Sequence, residues 1–543
     1  MKSKKLLLKT EIISNFAKKK QNMILIIAIF LFVIVYAALK FKVELHKFQQ
    51  NSYRNERFWK FLKNDIFSKI RLAEYFSLVV GIVGLFFQDK FFYFLTPFAL
   101  VLLYYVYYNK TYKPKVKFNF TARAKRLYFT TFGLFFVFGE LEFLLTKSEN
   151  AALLTCLGVT VFSFLLLMLS NIVLKPVEKR INNWYINDAK RILSEHKDLI
   201  IVGITGSYGK TSTKHFLEKI LSEKYNVLMT PGSFNTTMGV VRTIREYLKP
   251  THQVFICEMG AKQINDIKEI CDIVHPTIGI LSSVAEQHLD TFKTIENVRK
   301  TKFELIDSLP SDGLAILNGD YEIIKNTPKT KPTEYFSTDN DTNDYSAKNI
   351  KFSPQGTDFE LYHFDEKIAD LSTPLLGIYN ISNIISAVVC ALRLGLTVQQ
   401  IKFGVHKLQA VEHRMEIKAG PNGVVIIDDA FNSNPKGAKM ALEILSQFTD
   451  CKRIVITPGI IELADRQDFY NGELGKQIAQ SADLAILVGK EQTKAIYSGL
   501  KAANYPKDKI YVATGLQDAA TFAYSQAVSG DVLLFENDLP DYH

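Results

Sequence analysis

Residues 203–212 read Gly203-Ile204-Thr205-Gly206-Ser207-Tyr208-Gly209-Lys210-Thr211-Ser212, between the short apolar run Leu199–Ile204 and a stretch of helical periodicity, Ser212–Leu221. A buried strand entering a glycine-rich turn that opens a helix is the order of a nucleotide-binding unit. The glycines let backbone amides curl around phosphate oxygens, Lys210 neutralises terminal phosphate charge, and Thr211 offers a hydroxyl to Mg²⁺ at the helix N-terminus. The spacing departs from the usual P-loop in one place, because position 204 is Ile rather than Gly.

Outward from this loop, Val254–Cys257, Ile278–Leu281 and Ala315–Leu317 are short apolar strand candidates separated by helical stretches, which predicts a parallel sheet. Thr327–Asp344 is polar and rich in Thr, Asp, Asn, Pro and Lys, and reads as a loop or small insertion. A second alternation runs through Val424–Ile427, Arg453–Thr457, Leu484–Val488, Lys509–Val512 and Asp531–Phe535, which predicts a second, Rossmann-like α/β domain.

The N-terminal part has another character. Met23–Leu39, Tyr75–Phe87, Phe91–Tyr108, Leu127–Leu145 and Ala151–Leu174 are apolar runs, several near the roughly 20 residues that a membrane helix needs. The chain of 543 residues carries a formal charge of +11, but residues 1–126 hold 24 Lys+Arg against 6 Asp+Glu, and the remainder is net acidic. A basic excess confined to the apolar part is the signature of membrane-flanking residues and excludes a nucleic-acid footprint as the preferred reading. Stretches 1–22, 40–74 and 110–126, with 7, 9 and 7 Lys+Arg, all favour the cytoplasmic side, which leaves four or five spans open. Glu140 and Glu142 read as interfacial ahead of an intramembrane functional pair. Val177–His196 mixes charges with apolar residues at helical spacing, as in an amphipathic connector along a membrane surface. The five cysteines show no pairing pattern and read as buried thiols of a reducing compartment.

The expected fold class is therefore an α-helical membrane region followed by α/β. The boundaries are 1–175 for the multi-span region, 176–197 for the connector, 198–408 for an ATP-binding central domain with a parallel sheet, and 409–543 for the C-terminal domain.

Thr205-Gly-Ser-Tyr-Gly-Lys-Thr-Ser-Thr213 resembles the loop of the Mur ligase family, and further segments match that family in order. They are Thr230-Pro-Gly-Ser-Phe-Asn235-Thr236-Thr-Met-Gly239, Cys257-Glu258-Met-Gly260, Ala285-Glu-Gln-His288-Leu-Asp290, Thr301-Lys302-Phe-Glu304, Gly377-Ile-Tyr-Asn380-Ile-Ser-Asn383, Glu412-His-Arg414-Met415 and Asp428-Asp429-Ala-Phe-Asn432-Ser-Asn434-Pro435. The resemblance covers roughly residues 198–540 and is strongest to the D-alanyl-D-alanine-adding branch.

What the resemblance implies is ATP- and Mg²⁺-dependent amide-bond formation. A substrate carboxylate is phosphorylated by ATP, and a small-molecule amine, an amino acid or dipeptide, then displaces phosphate. By the same resemblance Gly206, Ser207, Tyr208, Gly209, Lys210, Thr211 and Ser212 cradle the phosphates, and Thr211 and Glu258 hold Mg²⁺. His288 and an N-carbamylated Lys302 serve a second metal, and Asn235 and Thr236 lie near the phosphates and the carboxyl substrate. Asn380 and Asn383 are expected near adenine, Arg414 at phosphate charge and Asp429 at the ribose hydroxyls. Bringing such negative charge together requires cations and fixed dipoles, which this set supplies.

Two departures bear on the substrate. The membrane region stands where the family has a soluble UDP-binding domain, so a lipid-linked carboxylate is a candidate acceptor. The segment Leu534-Phe-Glu536-Asn-Asp538-Leu-Pro-Asp541-Tyr-His543 stands where the family often has a Gly-Ser-Arg ending. The expected setting is cell-envelope synthesis at a bacterial plasma membrane, multi-pass, with the catalytic domains cytoplasmic. The alternatives are a membrane-bound ligase building an amino-acid polymer such as poly-γ-glutamate, and a nucleotide-binding membrane scaffold without catalysis.

Overall fold

The computed structural model describes residues 2–87, 90–107, 110, 117–287, 289–338, 343–353, 356–430, 434–461 and 463–537. The chain divides near residue 181 into an N-terminal unit and a larger unit reaching to Leu539.

Among the described residues, the N-terminal apolar runs all fold as helices: α1 (Lys2–Gln50), α2 (Asn55–Asp65), α3 (Lys69–Phe87), α4 (Lys90–Val106), α5 (Ala122–Thr146), α6 (Glu149–Val161) and α7 (Ser163–Ser194). Among the described residues two stretches, Met23–Gln50 and Ala122–Thr146, are long and apolar enough to cross a membrane, and the pair α6 and α7 would add a third if counted as one span. The run Ala151–Leu174 is not one straight helix: it bends by 82° between α6 and α7. Phe162 leaves helical geometry there (φ −93°, ψ 28°), and its ring stacks on Tyr75 with centroids 5.7 Å apart. Apolar composition carries no information about such a break. The connector reading starts inside the same helix, which continues through Pro176 to Ser194.

The interior of this unit is charged as well as apolar. Lys40 and Glu74 form a fully buried ion pair, and Arg71 reaches Glu44 at 3.0 Å and Asp65 at 2.7 Å. Isolated charges in such surroundings would be costly; paired ones are tolerated. Glu140 is exposed and Glu142 half-buried near the end of α5.

The second unit begins with a sheet built from β1 (Ile200–Thr205), β2 (Val227–Met229), β3 (Val254–Glu258), β4 (Ile278–Leu281), β5 (Leu314–Asn318), β6 (Thr333–Ser337), β7 (Tyr345–Ser353), β8 (Gly356–His363) and β9 (Glu366–Thr373). Its order is β2-β3-β1-β4-β5-β6-β7-β8-β9, parallel as far as β7 and antiparallel across β7-β8-β9. Helices α8 (Lys210–Leu221), α9 (Thr237–Tyr247), α10 (Asp266–Val274), α11 (Leu289–Phe292), α12 (Ile295–Asp307), α13 (Glu322–Lys325), α14 (Ile378–Arg393) and α15 (Val398–His406) complete this part. Two apolar clusters cover its faces, one containing Phe216, Ile256 and Ile385 and the other Phe255, Ile270 and Leu305. Neighbouring residues of β3 thus feed opposite clusters, as strand geometry requires.

Thr327–Asp344 corrects the loop expectation. It contains β6, parallel to β5 with Leu317 opposite Tyr335. The segment Thr-Glu-Tyr-Phe-Ser carries β-prone side chains, and Phe336, 1% exposed, is drawn into the core. Burial outweighs the polar composition on either side.

The second sheet is formed by β10 (Glu416–Ala419), β11 (Val425–Asp429), β12 (Arg453–Thr457), β13 (Leu484–Val488), β14 (Ile510–Ala513) and β15 (Val532–Glu536), with α16 (Pro435–Ser446), α17 (Gln467–Ser481), α18 (Lys494–Ala502) and α19 (Leu516–Gln526) around it. The order β10-β11-β15-β12-β13-β14 is parallel except for the β10-β11 pair. Both sheets therefore present strand C-termini, the usual place for ligands in α/β folds.

Candidate active site

The loop after β1 is held by a wall formed after β4. The Ser207 amide donates to the Ser283 carbonyl at 2.9 Å, the Ser207 hydroxyl donates to the Ala285 carbonyl at 3.0 Å, and the Tyr208 amide donates to the Ser283 hydroxyl at 2.6 Å. Gly209 takes φ +78°, and a Cβ there would meet Asn383 Oδ1 at 2.3 Å. The left-handed backbone favours glycine, and any larger residue would push the Asn383 amide away from the loop. Asn383, on α14, is thereby packed against the loop and also accepts from Thr213 at 3.3 Å, while Asn380 one turn earlier donates to the Leu376 carbonyl at 2.8 Å. Ser212 lies buried in the first turn of α8.

Lys210 opens α8 and folds back over the loop, donating to the Gly206 carbonyl at 2.6 Å and the Ser207 carbonyl at 3.2 Å. Burial lowers its pKa to about 8; Arg414 pushes the same way and Glu258 opposes. The Thr211 hydroxyl donates to Glu258 Oε1 at 3.1 Å, and Asn235 Nδ2 reaches the same oxygen at 3.0 Å. The other oxygen of Glu258 lies 3.0 Å from the buried Lys214 ammonium, which also donates to the Gly232 carbonyl at 2.7 Å. Burial works against the Glu258 carboxylate, but Lys214 and Lys210 hold its pKa below the ordinary value. A carboxylate and a hydroxyl meeting at a strand end offer the hard oxygen donors that Mg²⁺ prefers, so the residues present fit that ion.

Lys302 lies on α12, 2% exposed, with no hydrogen bond or ion pair among the described residues. Burial, then the neighbouring Lys210, drive its pKa well below the usual lysine value. Thr236 is the N-cap of α9, its hydroxyl accepting from the Gly239 amide at 3.3 Å. His288 lies outside the described residues.

Arg414 follows the central part of this unit and precedes β10. Burial lowers its pKa, while Glu258 and Asp429 oppose the shift; its charge is thus felt by the loop residues although it is about 200 residues away in the chain. Asp429 ends β11 and accepts from the Met415 amide at 3.1 Å. Burial raises its carboxyl to about 6. The structure therefore gathers Lys210, Thr211, Asn235, Glu258, Lys302 and Arg414 into one electrostatic neighbourhood. Lys214, one helical turn beyond Lys210 on the buried face of α8, is the member that the sequence reading missed; its i,i+4 spacing from Lys210 was the available signal.

This arrangement has known counterparts. The Mur ligase middle domain matches residues 204–391, and the Mur ligase, glutamate ligase domain matches residues 413–536. UDP-N-acetylmuramoyl-tripeptide–D-alanyl-D-alanine ligase of Bacillus subtilis is 25% identical over 338 residues, 62% of this chain and 72% of the relative. The enzyme of that name from Buchnera aphidicola of Acyrthosiphon pisum is 30% identical over 321 residues, 58% of this chain and 70% of the relative. The MurF ligase of Thermotoga maritima in complex with ADP superposes with a TM-score of 0.59 at 26% identity, covering 66% of this chain and 80% of that one. The fold and the loop site define an ATP-dependent ligase that forms amide bonds with release of ADP and phosphate. The chain belongs to the Mur ligase family.

Proposed function

We propose that the protein is a membrane-anchored Mur-type ligase of cell-envelope synthesis, related in activity to the MurF enzymes it resembles, with the domain boundaries read from the sequence. The observation that carries this reading is the meeting of Lys210, Thr211, Asn235, Glu258 and Lys302 at the C-terminal ends of the first sheet. A substrate carboxylate attacks the γ-phosphate of ATP, ADP leaves, and an acyl phosphate results. An amino acid or dipeptide amine then attacks the acyl carbon and phosphate departs. Lys210 leaves the loop carbonyls for the terminal phosphates, and Arg414 adds a planar donor fork to the same charge.

Thr211 and Glu258 would hold Mg²⁺, whose chemistry is to withdraw negative charge from the phosphates. Lys302 is the residue suited to carbamylation: its burial favours the neutral amine that reacts with CO₂, and the resulting carbamate replaces a destabilised cation by an anion beside Lys210. His288 is proposed as its partner at a second metal. Asn235 and Thr236 line the approach of the carboxylate. Asp429 accepts from ribose hydroxyls, and Asn380 and Asn383 lie on the adenine side.

Membrane anchoring is supported by the two long apolar helices and by the basic excess of residues 1–126. Because ATP is the co-substrate, the catalytic unit is placed in the cytoplasm and the helices in the bacterial plasma membrane. The matched family regions begin at residue 204, which supports a lipid-linked carboxylate as acceptor. The test is ADP release by detergent-purified protein with UDP-N-acetylmuramoyl-tripeptide plus D-alanyl-D-alanine, against lipid-linked carboxylates with a panel of amino acids and dipeptides. Turnover with the lipid-linked acceptor alone supports the full reading. Turnover with the nucleotide substrate reduces the helices to localisation, and turnover that continues adding residues to a polymer favours the poly-γ-glutamate type of activity.

A further inference from the structure

The wall that braces the phosphate loop carries one acidic side chain that the site described above does not use. Glu286 lies after β4, in the same segment as Ser283 and Ala285. Its backbone carbonyl accepts from the Tyr208 hydroxyl at 3.3 Å, so its main chain is fixed to the loop. Its side chain points to the C-terminal domain. Arg466, just before α17, pairs with one carboxylate oxygen, and the hydroxyl of Tyr470, in the first turn of α17, donates to the other at 2.6 Å. One carboxylate thus ties the loop wall to the helix that flanks the second sheet.

We infer that Glu286, Arg466 and Tyr470 form an interdomain clasp that positions Arg414 and Asp429 over the nucleotide. The chemistry suits a contact that must open. The Arg466 side chain is 54% exposed and the Glu286 side chain 27%, so water can replace either partner without leaving a buried charge, and salt screens the attraction. Both oxygens of the carboxylate are engaged by donors from the opposite domain, which fixes an orientation as well as a separation. The Glu286 main chain is bonded to Tyr208 in the phosphate loop, so a change at the loop is passed directly to the carboxylate. These are positioning residues: they act through Arg414 and Asp429 and do not touch the reacting atoms.

The test uses the full chain in detergent, with one spin label on the exposed surface of α12 and another on α18, and reads the interdomain distance with and without a non-hydrolysable ATP analogue. In Glu286→Ala and in Arg466→Ala the short-distance population without nucleotide should fall at least threefold. KM for ATP should rise about fivefold to tenfold with kcat changed by less than twofold, because saturating nucleotide restores closure. The exchanged pair Glu286→Arg with Arg466→Glu should recover the short distance, and raised salt should weaken closure in the wild type but not in Glu286→Ala. The distance measurement stands whether or not the acceptor substrate is correctly assigned. Unchanged distance distributions in both single variants, or losses that simply multiply in the double alanine variant, would overturn the clasp. If the alanine variants do not fold, Tyr470→Phe, which removes one donor only, must still shift the distribution toward the open state for the inference to hold.

Discussion

Removing the Glu258 carboxylate tests the site through stability and activity separately. Glu258 is 1% exposed and its partner Lys214 fully buried, 3.0 Å apart. In Glu258→Ala the ammonium keeps, among the described residues, the Gly232 carbonyl at 2.7 Å. Breaking a buried pair by removing one partner costs about 3–5 kcal/mol, because the remaining charge is uncompensated. At about 2 °C per kcal/mol for a domain of this size, the catalytic unit should melt roughly 6–10 °C lower. The effect has a sign in pH as well. Neighbouring cations hold the Glu258 pKa below its ordinary value, so its contribution is full above the unfolded carboxyl range, near 4.3, and is lost as pH falls through the lower folded value. Thermal melting in detergent, followed from pH 8 down to well below the ordinary carboxylate range, reads both. The double variant Glu258→Ala with Lys214→Met removes the stranded charge and should recover most of the stability while ADP release stays absent. A Glu258→Ala protein melting within about 1 °C of wild type would refute the buried pair, and an active double variant would refute the role of the carboxylate.

The other expectations follow from the same neighbourhood. Lys210→Ala should reduce ADP release by about 10²-fold or more, the scale for losing one donor aimed at developing charge; near-wild-type turnover would remove it from the site. Lys302→Ala should lose turnover and regain part of it with a short-chain carboxylate such as acetate, which supplies the missing anion; undiminished activity without additive would exclude Lys302 from the mechanism. ATP affinity, measured by equilibrium binding, should rise as pH increases through about 6, where Asp429 ionises, and fall above about 8, where Lys210 loses its proton. Asp429→Asn should flatten the acid limb alone, and a limb that persists in that variant would assign it elsewhere.

Much of the fold is legible from local pattern. Ile278–Leu281, Arg453–Thr457 and Leu484–Val488 are strands with the bounds the apolar runs predict, since a run buried on both faces needs no distant information to be recognised. The phosphate loop is legible for the same reason: strand, turn and helix are contiguous, and the glycines report their own backbone needs. The hairpin strands β7, β8 and β9 are less visible. Their alternation is interrupted by register shifts between Lys348 and Lys351 and between Leu361 and Tyr362, so no clean period of two survives.

The sequence by itself determined the α/β class, the nucleotide loop, the apolar and basic N-terminal region and the candidate chemistry, because each of these is written in residues adjacent along the chain. The tertiary structure alone decided the bend at Phe162, the recruitment of β6, the ion pair of Lys214 with Glu258, the approach of Arg414 to the loop and the clasp from Glu286 to Arg466. Each joins residues separated by tens to hundreds of positions, and charge and burial act through space rather than along the backbone. Lys214 illustrates the difference: in the sequence it is one more lysine of a helix, and only the carboxylate brought beside it by β3 makes it part of the site.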